Sequence, residues 1–258
     1  MDLAKLFRLD GKKAVVIGGG GGIGTVLSKG LAIYGADVVI ASRNIDKLKD
    51  VAKTIQSETS QSIIPMQVDA TLEDSVRKLV DETLSIFGTV DVLVNSQGIN
   101  IKADALSFSV QEWDKLFDIN VKSVMLTCRE FGKIMVQRRY GKIINLSSVR
   151  GVRATKWAGN LGYCTSKGAV DMLTKALAAE FGQYNINVNA IAPALVDTGF
   201  SPTLRDPEKI KLYTSNIPMG RIAVLEDIVG ACIFLASAAS DFINGQIIYI
   251  DGGLTVVG

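Results

Sequence analysis

The run Ala14-Val15-Val16-Ile17 leads directly into five consecutive glycines, Gly18 to Gly22, then into Ile23-Gly24 and a helical pattern that continues to Ile33. β-branched residues favour extended backbone, and glycine adopts the sharp turns that carry a strand into a helix packed against it. A strand, a glycine turn and a helix in that order make the first half of a βαβ unit, so the next strand is expected to run parallel to the first.

The remainder of the chain repeats that unit. β-rich runs recur at 14–18, 37–41, 63–69, 90–95, 141–148, 186–193 and 245–253. Between them, Ile23, Val26, Leu27, Leu31 and Ile33 follow helical spacing, as do Leu72, Val76, Leu79, Val80, Leu84 and Phe87. Strands apolar on both faces that alternate with such helices predict an α/β fold, a doubly wound seven-stranded parallel sheet flanked by helices. With 258 residues, 48% of them hydrophobic, the chain is expected to form a single domain over 1–258. The region 194–224 shows no clear strand and holds three of the five prolines, so it is expected to act as a substrate lid.

Composition then narrows the chemistry. The formal net charge of +2 comes from scattered lysines and arginines, so no nucleic-acid partner is expected. The start MDLAKLFRLDGKK has no long apolar stretch, and no segment approaches the ~20 apolar residues of a membrane helix. The expected location is the cytoplasm, where Cys128, Cys164 and Cys232 stay reduced. The chain contains no histidine, which excludes Ser-His-Asp hydrolysis, Cys-His proteolysis and His-ligated metal sites. No metal is expected. Asp, Glu, Lys, Tyr or an organic cofactor must then carry protons and electrons.

A glycine turn at a helix N-terminus lets backbone N–H groups approach a pyrophosphate, and this predicts a dinucleotide. The glycines fit two registers, Gly19-x-Gly21-xx-Gly24 and Gly18-xxx-Gly22-x-Gly24, and do not choose between them. No Gly-Lys-Ser/Thr follows, so a triphosphate loop is excluded. The second strand ends Ala41-Ser42-Arg43-Asn44. It offers no carboxylate to a ribose and a guanidinium to a 2′-phosphate, so NADP is expected, with NAD possible. Farther on, Tyr163-Cys164-Thr165-Ser166-Lys167 opens a helical run, which places Tyr163 and Lys167 four apart on one face. A tyrosine of ordinary pKa about 10 becomes a useful base where an ammonium and an oxidised nicotinamide favour its phenolate.

These residues do not stand alone. Gly18-xxx-Gly22-Ile23-Gly24, Asp69, Asn95 with Gly98, Asn120 in FDINVKS, Ser148 in GKIINLSSVRG, Tyr163-xxx-Lys167, Pro193 with Thr198 in PALVDT, and GQIIYIDGG follow in one order. Over essentially its whole length the chain resembles the short-chain dehydrogenase/reductase family. That resemblance implies a Rossmann fold and selects the Gly18, Gly22, Gly24 register. It implies Tyr163 as the general acid/base, Ser148 as the group that orients the substrate oxygen, and Lys167 as the residue that lowers the tyrosine pKa and holds the nicotinamide ribose. Asn120 would position a water in a proton relay.

The same resemblance implies cofactor contacts from Gly18, Gly20, Gly21, Gly22, Ile23 and Gly24 in the turn, and from Ser42, Arg43, Asp69 and Ala70 around the adenosine. Asn95, Gly98, Tyr163, Lys167 and Pro193 would contact the cofactor as well, Lys167 at the nicotinamide ribose, and the backbone near Val196 with the Thr198 hydroxyl would bind its carboxamide or phosphate region. A homotetramer is implied as well. Three features depart from the family pattern. Ile17 stands where threonine is usual, and Ser96-Gln97 replace Asn-Ala, so the Gln97 amide is expected to supply the bond the threonine hydroxyl would have made. Ser148 and Tyr163 are also fifteen positions apart, longer than usual.

The lengthened segment VRGVRATKWAGNLG carries Arg150, Arg153 and Lys156 and no acid, which points to an anionic substrate. The C-terminal third resembles sugar and sugar-acid dehydrogenases, the gluconate 5-dehydrogenases among them. The expected activity is therefore hydride transfer between NAD(P) and a small secondary alcohol or ketone. A 3-oxoacyl-(acyl-carrier-protein) reductase is the alternative within the same chemistry. A non-catalytic dinucleotide-binding sensor or structural subunit is the alternative of another class.

Overall fold

Inside the sheet lies β1 (Lys13–Ile17), hydrogen-bonded on one side to β2 (Asp37–Ser42) and on the other to the central strand β4 (Val92–Asn95). The structure, a computed structural model, describes residues 3–154, 159–199 and 206–257. β3 (Ile63–Gln67) flanks β2, and β5 (Gly141–Leu146), β6 (Ile186–Pro193) and β9 (Ile247–Ile250) continue beyond β4. The sheet has seven strands in the order β3-β2-β1-β4-β5-β6-β9, and every pair is parallel. All seven sequence-predicted runs form its strands: β6 keeps its predicted bounds, β1 and β2 differ by one residue at their ends, and the other four are two to five residues shorter. Pro65 lies inside β3, where the missing N–H is tolerated because β3 is an edge strand.

Alternation along the strands feeds two apolar cores. Ala14, Val16, Val38, Ile40, Val92 and Val94 face α1 (Gly22–Ile33), α2 (Ile45–Glu58) and α8 (Glu226–Ala236). Val15, Ile17, Val39, Ala41, Leu93 and Ile143 face α3 (Glu73–Phe87), α5 (Ser123–Arg138) and α6 (Leu161–Phe181). Both sheet faces are thus covered, as an all-parallel sheet requires. Among the described residues no helix is long and apolar enough to cross a membrane.

The strand order reverses between β1 and β4. In open α/β sheets the crevice at the carboxyl ends of the strands on either side of such a switch is where ligands bind. The glycine turn after β1 and the loops after β4, β5 and β6 all open into it.

The region 194–224 departs from expectation. Two-residue strands, β7 (Val196–Asp197) and β8 (Ala223–Val224), pair in parallel and close its ends together, and α7 (Pro207–Thr214) lies between them. Strands this short carry no readable period, so only the tertiary pairing reveals them. Residues 200–205 of this region lie outside the described residues.

Candidate active site

The glycine turn is shaped by several close approaches. Gly18 has a φ of 80°, and a Cβ there would lie 2.8 Å from the backbone nitrogen of Gln97. Gly24 packs its Cα face on the Gly18 carbonyl, with Ser96 Oγ 2.9 Å from where a Cβ would stand. Gly22 in turn abuts Thr198, whose Cβ would be 3.0 Å from a Gly22 Cβ. A Cβ at Gly21 would meet nothing nearer than the Gly18 carbonyl at 3.4 Å. The demanding positions are Gly18, Gly22 and Gly24, the register implied by the resemblance, together with Gly19, where a Cβ would lie 2.8 Å from Ile40 Cβ; Gly21 of the other register is not among them. Gly21 caps α1 without a side chain, so the N–H groups at that helix start face the crevice uncapped, and the cradle fits a diphosphate.

Around it stand the residues expected at the adenosine end. Gly20 lies against Ser42, whose Oγ would be 3.5 Å from a Gly20 Cβ, and the next residue, Arg43, is exposed with no ion pair among the described residues. Asn44 is occupied elsewhere, capping α2 by accepting from Lys47 N at 3.0 Å. Asp69 accepts from Thr71 Oγ1 at 2.6 Å and from Thr71 N at 3.0 Å, both on Oδ1. The Thr71 hydroxyl, with help from the Arg43 and Lys122 charges, holds this carboxyl below the usual range. Ala70 follows it, half-buried beside the apolar layer.

The turn after β4 corrects two expectations. The Asn95 side chain is fully buried and spent inside the protein. Its Nδ2 donates to Asn145 Oδ1 at 2.9 Å and to Cys128 Sγ at 3.2 Å, and its Oδ1 accepts from Thr127 Oγ1 at 2.7 Å. Asn145 Nδ2 continues the chain to Thr174 Oγ1 at 2.9 Å. The Asn95 side chain therefore ties α5 and α6 to the sheet and leaves only backbone groups for a cofactor, because its strand position points it into the packed layer. The Gln97 amide donates to Ser123 Oγ on α5 at 3.0 Å and makes no bond to β1. Ile17 is fully buried among apolar neighbours, and the turn is held to β1 by Ser96 N donating to the Ile17 carbonyl at 2.9 Å.

Beyond it the catalytic candidates converge. Ser148 follows β5, is nearly buried, and hydrogen-bonds the Tyr163 hydroxyl. Its Oγ lies 3.3 Å from the Pro193 carbonyl at the end of β6, so its one proton is given either to that carbonyl or to Tyr163. Lys167 Nζ donates to the Leu146 carbonyl at 2.7 Å and lies 5.7 Å from the centre of the Tyr163 ring. A Cβ on Gly98 would stand 3.5 Å from Lys167 Nζ and 3.4 Å from Asn120 Oδ1, which brings the β4 turn to the same point.

Asn120 sits in a π-helical turn, Asp118–Lys122, between α4 (Val110–Phe117) and α5. Its Nδ2 donates to the Ile99 carbonyl at 2.9 Å and to Ser166 Oγ at 3.0 Å, and its Oδ1 accepts from Ile99 N at 2.8 Å. The side chain is fixed by protein partners on both ends. π-turns of this kind are frequent at functional sites, and a turn one residue wider than its neighbours leaves no mark in apolar spacing.

Burial dominates the electrostatics. It pushes the Tyr163 phenol above its usual range, while the hydrogen bond from Ser148 and the charge of Arg150 pull it back. Burial also lowers Lys167 to about 8, partly offset by Asp171 one turn along α6. The Arg150 charge adds a second cation near the Tyr163 phenol, beside Lys167.

The lengthened loop divides its cations. Arg150 is half-buried, and its Nη1 donates to the carbonyls of Arg153 and Ala154 at 3.4 and 3.3 Å. Its charge also reaches Cys164. Arg153 turns the other way and donates through Nη1 to the carbonyls of Leu254 and Val257, so it is not aimed at the space beside Tyr163. Lys156 lies outside the described residues. Val196 is buried at the root of the 194–224 region. There a cavity of about 160 Å³ is lined by Ala194, Ile217, Met219, Ala223, Ile250 and Gly252, and neither Ser148 nor Tyr163 reaches it. Arg221 holds Asp227 beside that cavity through paired contacts of 2.6 and 2.9 Å.

Known proteins match this architecture along nearly the whole chain. The family described as enoyl-(acyl carrier protein) reductase matches residues 18–255. The gluconate 5-dehydrogenase of Gluconobacter oxydans (strain 621H) is 36% identical over 252 residues, covering 97% of each chain. The 3-oxoacyl-(acyl-carrier-protein) reductase of Chlamydia muridarum is 35% identical, covering 94% of this chain and 97% of that one. Among solved structures, a gluconate 5-dehydrogenase from Burkholderia cenocepacia J2315 in complex with NADP and tartrate superposes with a TM-score of 0.94. It is 36% identical and covers 98% of this chain and 99% of that one.

Proposed function

Since the chain belongs to the short-chain dehydrogenase/reductase family and is an NAD(P)-dependent oxidoreductase acting on CH–OH groups, we propose that it interconverts a sugar acid and its keto form with NADP. The observation that carries the reading is the convergence of Ser148, Tyr163 and Lys167 at one point, with Lys167 Nζ 5.7 Å from the centre of the Tyr163 ring and the Gly98 turn and Asn120 closing on the same ammonium.

Bound nicotinamide supplies or accepts the hydride. The protein has to manage one proton and one developing oxyanion. Tyr163 Oη holds that proton, giving it to a carbonyl oxygen in reduction and taking it from a hydroxyl in oxidation. Ser148 Oγ orients the same oxygen and stabilises its negative charge. Arg150, unmatched by any carboxylate in the described contacts, favours both the phenolate and a substrate that carries a carboxylate. The turn Gly18 to Gly24 would take the diphosphate, and Ser42 with Arg43 the 2′-phosphate. Asp69 and Ala70 would border the adenine, and Gly98, Lys167, Pro193, Val196 and Thr198 the nicotinamide half. Asn120, held by Ile99 and Ser166, would anchor a water-linked proton path through its surroundings.

The similarity to gluconate 5-dehydrogenases supports this substrate class. An acyl-carrier reductase remains the second reading, because a basic entrance also suits an acidic carrier protein. We further infer a single functional domain with the 194–224 region as its lid, a cytoplasmic location and a homotetrameric assembly. A nicotinamide-absorbance screen of gluconate, related keto acids, neutral polyols and a 3-oxoacyl thioester, with NADP and NAD in parallel, tests the substrate. Turnover of the sugar acid with NADP is expected, and Tyr163→Phe should abolish it while NADP still binds. Exclusive activity on the thioester would replace the first reading with the second, and an active Tyr163→Phe would refute the mechanism.

A further inference from the structure

Arg153 joins two parts of the molecule far apart in sequence. On one side it belongs to the loop that leaves Ser148. Arg150 N donates to Ser148 Oγ at 3.2 Å, Arg153 N donates to the Val149 carbonyl at 2.9 Å, and the Arg153 carbonyl accepts from Arg150 Nη1. On the other side its guanidinium grips the carbonyls of Leu254 and Val257.

Those carbonyls lie in a series of turns over 251–257 built around Asp251. The Asp251 carboxylate accepts from Gly253 N at 3.0 Å, Thr255 N at 2.7 Å and Thr255 Oγ1 at 2.6 Å. The far face of this segment rests on the root of the 194–224 region. Met219 N donates to the Gly252 carbonyl at 3.1 Å, and Gly252 and Gly253 lie so close to Ile217 and Pro218 that a Cβ would stand 2.8 and 3.0 Å from their side chains.

The geometry points to Arg153 as a positioning residue. Through the 251–257 segment it braces the Ser148 loop against residues 217–221, so that this loop and the root of the 194–224 region keep one separation. A planar guanidinium can serve two carbonyls at once, which a lysine ammonium on a flexible stem does less well. In this arrangement Arg153 also offers its own carbonyl to Arg150 Nη1, at 3.4 Å, and so helps to set where Arg150 stands.

The brace rests on the oxidoreductase reading only for its kinetic arm, and hydrogen exchange tests it without substrate. In Arg153→Ala, peptides covering 149–154 and 251–257 should exchange faster, and so should those covering 217–221, which Arg153 does not touch. Loss of two hydrogen bonds corresponds to about ten-fold faster local opening. Arg153→Lys should fall between wild type and Arg153→Ala, and peptides of the central strands should be unchanged in both. Faster exchange confined to 149–154 overturns the brace.

In the kinetic arm, KM for gluconate and for a neutral polyol such as galactitol should rise by the same factor, with NADP affinity unchanged. A loss on gluconate alone would make Arg153 a carboxylate ligand and overturn the proposal. If wild-type protein turns over neither compound, the substrate reading fails and the exchange result alone decides the brace.

Discussion

Lys167 Nζ lies 5.7 Å from the centre of the Tyr163 ring, and its hydrogen bond goes past the phenol to the carbonyl of Leu146. The two side chains share a helix face and a site, but burial acts on both and opposes charge on each. Lysine and tyrosine are therefore shifted toward their neutral forms before any ligand arrives, and a second cation, Arg150, enters the balance.

That balance has a direction in pH. Oxidation needs the Tyr163 phenolate, so its rate should rise with pH through the tyrosine pKa, and reduction, which needs the phenol, should fall. Arg150 favours the phenolate, so Arg150→Met should move the rising limb of kcat/KM for oxidation to higher pH. An unmoved limb in a full pH profile would show that Arg150 does not act on Tyr163.

Lys167 also opposes folding. Its pKa falls from an ordinary 10.5 to about 8 because the ammonium is desolvated. For a lysine lowered in this way the penalty is fully present below about pH 8, and it fades as pH rises from there toward the unfolded value. Lys167→Met should remove a cost of about 3 kcal/mol at pH 7 and lose a hydrogen bond worth about 1 kcal/mol. The variant should be inactive yet melt at a higher temperature at pH 7, with the gain shrinking by pH 10. Thermal denaturation across that range checks the sign.

The buried chain Thr127–Asn95–Asn145–Thr174 makes a different prediction. Asn95→Ala leaves Thr127 and Asn145 without partners in a dry layer and should cost about 2–4 kcal/mol. Because both asparagines serve one network, the Asn95→Ala/Asn145→Ala double variant should cost less than the two single changes together. Denaturant titration of all three variants reads the coupling.

Within the glycine run, substitutions should separate sharply. Gly21→Ala meets only ordinary contact, whereas Gly24→Ala drives a methyl into the Gly18 carbonyl and the Ser96 hydroxyl. NADP affinity should survive the first change and fall with the second, as fluorescence titration would show. Comparable losses in both would mean that the bound turn differs from this one.

Arg43→Glu should invert cofactor choice, weakening NADP and sparing or improving NAD, because it replaces a phosphate-binding fork with a ribose-binding acid. The ratio of kcat/KM for the two cofactors measures it.

Much of the molecule is legible along the chain because it rests on local chemistry. The seven strands follow from β-branched runs, α1 and α3 from apolar spacing, and the Tyr163–Lys167 pair from a four-residue helical interval. What the sequence by itself determined is the type and order of these elements and the residues available for proton transfer in a chain without histidine. Position in space belongs to the tertiary structure. Asn95 became a sheet tie when the packing of α5 and α6 enclosed it, and Gln97 found Ser123 on a helix twenty-six positions away. Arg150 and Arg153, three residues apart and alike in sequence, part company because one bonds carbonyls within its own loop and the other carbonyls about a hundred positions along the chain. A side chain's partner across such distances is set by how the layers close, and neighbouring sequence carries no record of it.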